Sequence, residues 1–317
     1  MTKMNELAYA TDYAGESTSI EEIEQTIKKI SEAGFTHIHW CHEWDGDYTY
    51  SVYEMQQIKE WLAKYGVKMK GLHASEGMRW RGSKTKFHYR CDTYNRRDFT
   101  AFNEWNRLAG VELVKNRIEM ANVLGATEIV LHMQVPYKSF DEDTTYKERY
   151  FAQAYKSFDE LKDYALEKNV RICLENQLGT PNKYQIDQFD RMFARYDKGF
   201  LGFCFDTGHG LITGEDCLEM PKRYQDRLYM IHLSDNHGLS LDECWEDGFL
   251  LGACDEHLNP YFGTFDWKGF SEIVAASPYE MPPVIEVAKK AADEKSFLQE
   301  SYEAGLTFNQ QVASFKK

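Results

Sequence analysis

Short apolar runs alternate with longer amphipathic segments along the whole chain, and this alternation limits the possible folds. Apolar runs of this length, bounded by turn residues, are typical of buried β-strands. The amphipathic segments carry apolar residues three and four positions apart, the spacing of a helix with one buried face. We predict strands at 6–11, 36–41, 67–74, 127–133, 170–176, 201–207, 228–234 and 282–287.

Turn and capping residues mark where the helices begin and end. Ser19 precedes the first helix and Glu22 follows three positions later, which is the spacing of a capping box. Gly34 ends this helix, and Gly66 and Gly125 end the next two. Further helices are predicted at 144–168 and in the C-terminal segment 288–317.

Eight strand–helix units in 317 residues, with no Pro/Gly/Ser-rich linker, predict one α/β domain over residues 1–317. A (β/α)8 TIM barrel fits this count, and a doubly wound open sheet is the alternative. An open sheet spreads its strand ends along a line, whereas a barrel gathers them around one mouth. The barrel therefore better explains the polar residues that end strands 3 to 8.

Four of those strand ends carry groups that bind metal ions. They are Glu175 in RICLEN, Asp206 in GFCFDTGHG, His232 in YMIHLSDN and Glu286 in PPVIEV. A carboxylate or imidazole at the end of a buried strand needs a partner. Three oxygen ligands and one nitrogen ligand suit a divalent ion. We therefore predict that Glu175, Asp206, His232 and Glu286 form a metal site.

Each residue has a simpler explanation when taken alone. Glu175 fits an ion pair with an arginine, Asp206 a helix cap, and His232 a satisfied core histidine. Glu286 is harder to explain, because a carboxylate between Ile285 and Val287 is costly unless it is paired.

The net charge and the composition of the chain limit the classes of partner that it could bind. The formal net charge is -14, which disfavours nucleic acids and anionic membranes. The N-terminal MTKMNELAYA has no apolar signal region, and no apolar run approaches the ~18 residues of a membrane span. The seven cysteines include no CxxC pair, which indicates reduced thiols. We expect a cytoplasmic protein without nucleic-acid or membrane partners, and homo-oligomers are possible.

The connection at 75–102 is long and basic within an acidic chain. It follows strand 3, so we predict that residues 79–97 form a lid over the catalytic mouth, with Arg79, Arg81 and Arg90 as candidate substrate contacts. A solvated loop, an oligomer contact and a phosphate-binding segment are alternatives. Trp40, Trp44 and Trp80 would offer apolar faces to a bound ligand, or else pack in the barrel.

With these residues the sequence resembles the xylose-isomerase-like TIM-barrel superfamily, which includes sugar isomerases, ketose 3-epimerases and apurinic-site endonucleases. The resemblance covers most of the chain and is clearest at 128–287. It implies the same four metal ligands, on strands 5 to 8. The family's D-x-x-H pattern matches Asp206 and His209, and its D-x-H pattern matches Asp255 and His257 ahead of Gly263.

The sequence departs from the family at two points. The usual Pro-Gly-x-Gly after D-x-H is here Asn-Pro-Tyr-Phe-Gly. Several epimerases carry a substrate-binding arginine shortly after the histidine of strand 7, where this chain reads Ser-Asp-Asn-His-Gly.

The endonuclease branch of the superfamily supplies the alternative function, a zinc-dependent phosphodiesterase acting at apurinic sites. It holds three zinc ions through nine residues, and this chain has a matching residue type at each place: His73, His132, Glu175, Asp206, His209, His232, Asp255, His257 and Glu286. In other relatives, such histidines bind substrate instead.

The resemblance implies a metal-dependent sugar or sugar-phosphate isomerase or epimerase that acts on a ketose through an enediolate. Glu175 and Glu286 would be both ligands and catalytic acid/base groups on opposite faces of the substrate. We expect substrate contacts from His73, His132, His209, His257 and Arg79. Mixed oxygen and nitrogen ligands suit Mn, Mg or Co, and the additional histidines favour Zn.

Overall fold

The computed structural model describes residues 5–15, 17, 19–42, 48–74, 97–178, 180–213, 216–238, 254–289 and 293–316. Eight parallel strands close into a barrel in chain order, which confirms the predicted (β/α)8 TIM barrel. The strands are β1 Ala8–Ala10, β2 His37–Trp40, β3 Lys68–Ala74, β4 Glu128–Leu131, β5 Arg171–Glu175, β6 Leu201–Asp206, β7 Leu228–Leu233 and β8 Val284–Ile285.

Helices surround the barrel. The described ones are α1 Ile20–Glu32, α2 Val52–Tyr65, α3 Glu104–Leu124, α4 Tyr137–Glu142, α5 Thr144–Glu167, α6 Asn182–Arg195, α7 Thr207–Thr213, α8 Glu219–Arg223, α9 Trp267–Ala275 and α10 Glu294–Phe315. The predicted capping box is present, because the Ser19 side chain accepts from the Glu22 amide and the Glu22 carboxylate accepts from the Ser19 amide. None of the helices in the described ranges is long and apolar enough to cross a membrane.

Alternating strand residues separate the outer core from the barrel interior. Residues such as Leu174, Phe205 and Leu233 belong to the large apolar core that includes residues of the surrounding helices. The other face of the strands contributes a separate cluster of small and flexible side chains, namely Ala8, Val130, Cys173, Cys204, Met230 and Val284. This cluster fills the barrel interior.

The interior layer explains where the polar residues lie. Glu175, Asp206, His232 and Glu286 each stand two positions after a member of that layer, as His132 does after Val130. A strand turns every second side chain to the same face, so these groups point into the barrel mouth, above a packed apolar layer. The buried polar groups therefore share one end of the barrel, where TIM-barrel enzymes have their active sites.

Candidate active site

An alternating row of imidazoles and carboxylates crosses the mouth of the barrel. His132 Nε2 lies 2.8 Å from Glu175 Oε2, and Glu175 Oε1 lies 3.2 Å from His232 Nδ1. The same His232 nitrogen lies 2.7 Å from Glu286 Oε2, and Glu286 Oε1 lies 3.2 Å from His73 Nε2. The five side chains come from β3, β4, β5, β7 and β8, or from positions directly after them. The structure therefore brings together two predicted substrate contacts and three predicted metal ligands.

The two glutamates are buried and charged. Burial favours the neutral acid, but His232 and His132 outweigh it and hold the pKa of Glu175 well below its usual range. His232 and His73 do the same for the pKa of Glu286. Burial opposes the imidazolium form of His232, yet Cys204, Glu286 and Glu175 raise its pKa well above the usual value. The imidazole of His232 therefore lies between two carboxylates that favour its charged form.

Asp206 is the fourth predicted ligand, and its backbone is held firmly. The Asn176 side chain donates to the Asp206 carbonyl at 2.9 Å and accepts from the Asp206 amide at 2.8 Å. Oδ1 of Asp206 accepts from the His209 amide at 2.7 Å. Oδ2 is buried and has no hydrogen-bond partner among the described residues.

The charge environment of Asp206 is also unfavourable without a cation. Burial raises the pKa of Asp206 to about 6, with Glu286 and Glu175 adding to the effect and His209 opposing it. An unpaired carboxylate oxygen beside two further carboxylates is costly unless a positive charge lies among them. The donors present, three carboxylates and the Nδ1 atom of His232, therefore fit a divalent metal ion.

A second group of ionisable side chains adjoins these four residues. Asp255 Oδ2 lies 2.8 Å from His257 Nε2 and 3.6 Å from His209 Nε2. His209 Nδ1 faces the Asn176 carbonyl at 3.0 Å and His257 Nδ1 faces the Glu286 carbonyl at 3.0 Å, so both Nδ1 atoms carry the proton. The D-x-x-H and D-x-H motifs thus meet in one cluster, and its three donor groups lie close enough for a cation.

The D-x-H segment, residues 255–257, has an unusual backbone conformation, and hydrogen bonds between Asp235 and the following residue hold it in place. His257 has a φ of 46°, in the left-handed region that few non-glycine residues adopt. Asp235 and Leu258 exchange two backbone hydrogen bonds, which tie the segment to the end of β7. Gly263 packs tightly there, since a Cβ atom would lie 2.1 Å from the Asn236 carbonyl oxygen. This explains the glycine that follows the D-x-H motif.

One predicted residue lies away from the site, and several others fall outside the described ranges. Trp40 is fully buried and donates its indole N–H to the Tyr50 hydroxyl at 2.9 Å, so it packs in the wall of the barrel. Arg79 lies outside the described residues, as do Trp44, Trp80 and residues 79–96 of the predicted lid. The lid and its contacts stay predictions.

The sequence analysis missed three groups at the mouth. Asp12 follows β1, and burial together with Glu286 raises its pKa to about 6, while His73 and His257 oppose the change. His39 lies on β2 and Cys41 directly follows it, and both are close to His73. The rule used for the later strands, a polar residue at the end of an apolar run, applies to ELAYATD and THIHWC as well.

Comparison with known proteins identifies the family of the chain. The sequence profile described as xylose isomerase-like TIM barrel matches residues 27–305. The chain is 29% identical over 299 residues to the uncharacterized protein y4fM of Sinorhizobium fredii, covering 93% of this chain and 91% of that protein. It is 27% identical over 194 residues to an inosose dehydratase of Lacticaseibacillus casei, covering 58% of this chain and 64% of the dehydratase.

Solved structures show the same fold at low sequence identity. A D-tagatose 3-epimerase-like protein superposes with a TM-score of 0.65 at 17% identity, covering 98% of both chains. A D-allulose 3-epimerase from Methylomonas sp., solved in complex with D-allulose, gives a TM-score of 0.66 at 14% identity and covers 94% of this chain and 95% of its own. With the profile match across most of its length, the chain belongs to the xylose isomerase-like TIM barrel family.

Proposed function

We propose that this protein is a metal-dependent enzyme that moves a proton at the carbon beside a carbonyl group of a small carbohydrate, as a sugar isomerase or epimerase. The observation that carries the proposal is the placement of two buried carboxylates, Glu175 and Glu286, on either side of His232. The epimerase structures of the same fold and the dehydratase relatives support a carbohydrate substrate.

The two glutamates suit proton removal and return. Each has one oxygen next to His232 and its other oxygen next to a further histidine, His132 for Glu175 and His73 for Glu286. Because their pKa values are low, both are ionised and able to accept a proton at neutral pH. A substrate carbon held between them has one base on each face, which is what inversion of a stereocentre requires.

Glu175, Asp206, His232 and Glu286 are the residues we expect to hold a divalent ion. Such an ion would polarise the substrate carbonyl and acidify the adjacent C–H. His132 and His209 would then position substrate oxygens, since their side chains keep some exposure at the mouth, 24% and 12%. Mn, Mg, Co and Zn all suit this ligand set.

A dehydratase is the second candidate, and His257 favours it. Elimination of water needs an acid that protonates the departing hydroxyl, in addition to the base. Burial opposes the charge on His257, but Asp255 raises the pKa of His257 to about 10, so the ring is protonated at neutral pH. Its side chain is 25% exposed and can be reached from the mouth. The inosose dehydratase relatives make a keto-cyclitol the natural substrate to test.

The experiment that tests the proposal is a product analysis on purified protein reconstituted with Mn²⁺, Co²⁺ or Zn²⁺. The substrates are D-tagatose, D-allulose, L-ribulose, their phosphates and an inosose, with products identified by NMR and mass spectrometry. We expect an epimer or isomer from a ketose, or loss of one water from the inosose. A DNA duplex with an abasic site is included to test the alternative function, cleavage of the phosphodiester backbone. Metal-dependent incision of this DNA, with every carbohydrate unchanged, would refute the proposal and support the phosphodiesterase alternative.

A further inference from the structure

We propose that β2 and β3 form a second, thiolate-containing metal site beside the four-residue site, with His39, Cys41 and His73 as ligands and Glu286 bridging the two ions. The proposal shares Glu286 with the proposed function: Oε1 of Glu286 would bind the second ion, so an occupied second site would take that oxygen away from proton transfer. The argument for the site does not depend on which carbohydrate reaction the protein performs.

The strand geometry directs two of these groups to the same point. His39 and Cys41 are two positions apart, so both side chains point to the same face of β2. The register between β2 and β3 shifts between Ile38 and His39, where β3 has one extra residue. Such irregularities often re-aim side chains near active sites. His39 pairs in register with Gly71, two positions before His73 on β3.

His39 is a buried polar side chain without a hydrogen bond. It is fully buried, and neither ring nitrogen has a hydrogen-bond partner within the described ranges. Buried polar groups are almost always satisfied, since leaving one unpaired costs about 1–3 kcal/mol. The ring makes edge-to-face contacts with two other imidazoles, and its centroid lies 4.8 Å from that of His232 and 5.3 Å from that of His73. A metal ion would satisfy this imidazole.

The donor atoms converge as a metal site requires. One ligand atom each from His39, Cys41 and His73 lie within 4.8 Å of one another, and all three residues are buried. Glu286 Oε1 lies 3.2 Å from His73 Nε2 and 3.9 Å from Cys41 Sγ. The other oxygen of the same carboxylate, Oε2, faces His232 at 2.7 Å. Glu286 therefore offers one oxygen to each position, as a bridging carboxylate does in two-metal sites.

The ligand types select the ion. Two imidazoles, one thiolate and one carboxylate oxygen suit Zn²⁺ or Co²⁺ in tetrahedral geometry, and they disfavour Mg²⁺ and Mn²⁺, which prefer oxygen ligands. The four-residue site is richer in oxygen and accepts a wider range of ions. The thiol must lose its proton to bind, so ion binding at the second site releases a proton.

The test is cobalt reconstitution of chelator-stripped protein, followed by absorption spectroscopy and elemental analysis. We expect two Co²⁺ ions per chain and a thiolate-to-cobalt charge-transfer band in the wild type. Cys41→Ser should lose the band and one ion per chain, and it should bind the remaining ion normally. His39→Asn should weaken the binding of the second ion at least tenfold. Cys217→Ser, a partly buried thiol outside the cluster, is the matched control and should keep both ions and the band.

Two further variants make the outcome specific. Asp206→Asn should lose the other ion and keep the band, which separates failure of this proposal from failure of the proposed function. Cys204 is near Glu175 and His232, so Cys204→Ser tests the other thiol within reach and should also keep the band. The proposal is overturned if the wild type binds Co²⁺ without a charge-transfer band, if Cys41→Ser retains the band, or if Cys204→Ser loses it. Circular dichroism of each variant confirms that the fold is intact.

Discussion

His232 Nδ1 lies 2.7 Å from Glu286 Oε2, and this contact joins two adjacent strands at the centre of the mouth. β7 and β8 set the contact, because His232 pairs in register with Val284 and the Glu286 amide donates to the Leu233 carbonyl at 3.1 Å. Glu175 approaches the same nitrogen from β5 at 3.2 Å. Three rigid strands therefore hold two carboxylates on one imidazole, and the proposed chemistry rests on that arrangement.

Asp206→Asn should reduce metal binding by a factor of ten or more while the barrel stays folded. The substitution keeps the shape and the contact between Oδ1 and the His209 amide, but it removes the negative charge that Oδ2 offers to a cation. Elemental analysis and a competition titration with a chromogenic chelator measure the change. Asp216→Asn, at an exposed carboxylate, is the control. Equal metal affinity in Asp206→Asn and wild type would remove Asp206 from the ligand set.

Gly263→Ala should destabilise the protein by about 3 kcal/mol or more, because the backbone has no room for a side chain. The added Cβ would lie 2.1 Å from the Asn236 carbonyl oxygen and 2.4 Å from Asp235 Oδ1. Asp235 also accepts from the Tyr261 and Phe265 amides and from the Trp267 indole, so the whole turn would shift. Urea denaturation measures the loss.

Gly199→Ala is the control for that experiment. Its Cβ would meet only Oδ1 of Asp197, at 3.0 Å, whereas the Cβ at Gly263 would overlap backbone atoms, so the loss of stability at Gly199 should be much smaller. A Gly263→Ala variant that unfolds at the same urea concentration as wild type would show that the turn is less rigid than the structure indicates.

His37 lies at the opposite end of the barrel, and its buried imidazole should make the free energy of unfolding depend on pH. Burial lowers its pKa to about 4, with Lys68 and Lys70 adding to the effect and Glu6 opposing it. The unfolded chain, where a histidine has a pKa of about 6.5, therefore binds more protons than the folded chain between about pH 6.5 and 4. The free energy of unfolding should fall as the pH is lowered through this window, by at most about 3 kcal/mol from this residue.

Chemical denaturation of metal-stripped protein at pH 7, 5.5 and 4.5 measures that dependence. His37→Asn should make the dependence less steep without abolishing it, because burial also lowers the pKa of His42 to about 4. His237→Asn, at an exposed imidazole, is the control variant. An equally steep loss of stability in His37→Asn would assign the effect to other groups.

The strand-end rule singled out residues that the structure brings together at the barrel mouth, while their roles in binding and catalysis stay predictions. Glu175, Asp206, His232 and Glu286 stood out because each follows an apolar run, and alternation along a strand places such residues in the barrel mouth. The first two strands follow the same rule, yet Asp12, His39 and Cys41 were not singled out. Their significance depends on contacts with Glu286 and His73, which are more than thirty residues away along the chain.

Element boundaries were less predictable than element types. β8 spans only Val284–Ile285, shorter than the predicted 282–287, because Pro282 and Pro283 have no backbone N–H to donate to a neighbouring strand. The Pro283 carbonyl still accepts from the Ala8 amide at 3.0 Å, so the barrel closes there. The contact of His232 with two glutamates could not be derived from spacing, since it depends on the register of β5, β7 and β8.

Solvent hydrogen exchange into a substrate tests the central claim most directly. Metal-reconstituted protein in D₂O is incubated with the ketoses and the inosose, and deuterium at the carbon next to the carbonyl is followed by NMR. We expect exchange with at least one of these substrates in the wild type. Glu175→Gln and Glu286→Gln should each lower the rate by about 10²- to 10⁴-fold, because the amide cannot accept the proton. Wild-type rates in both variants, or no exchange into any substrate by fully metallated wild-type protein, would contradict the account.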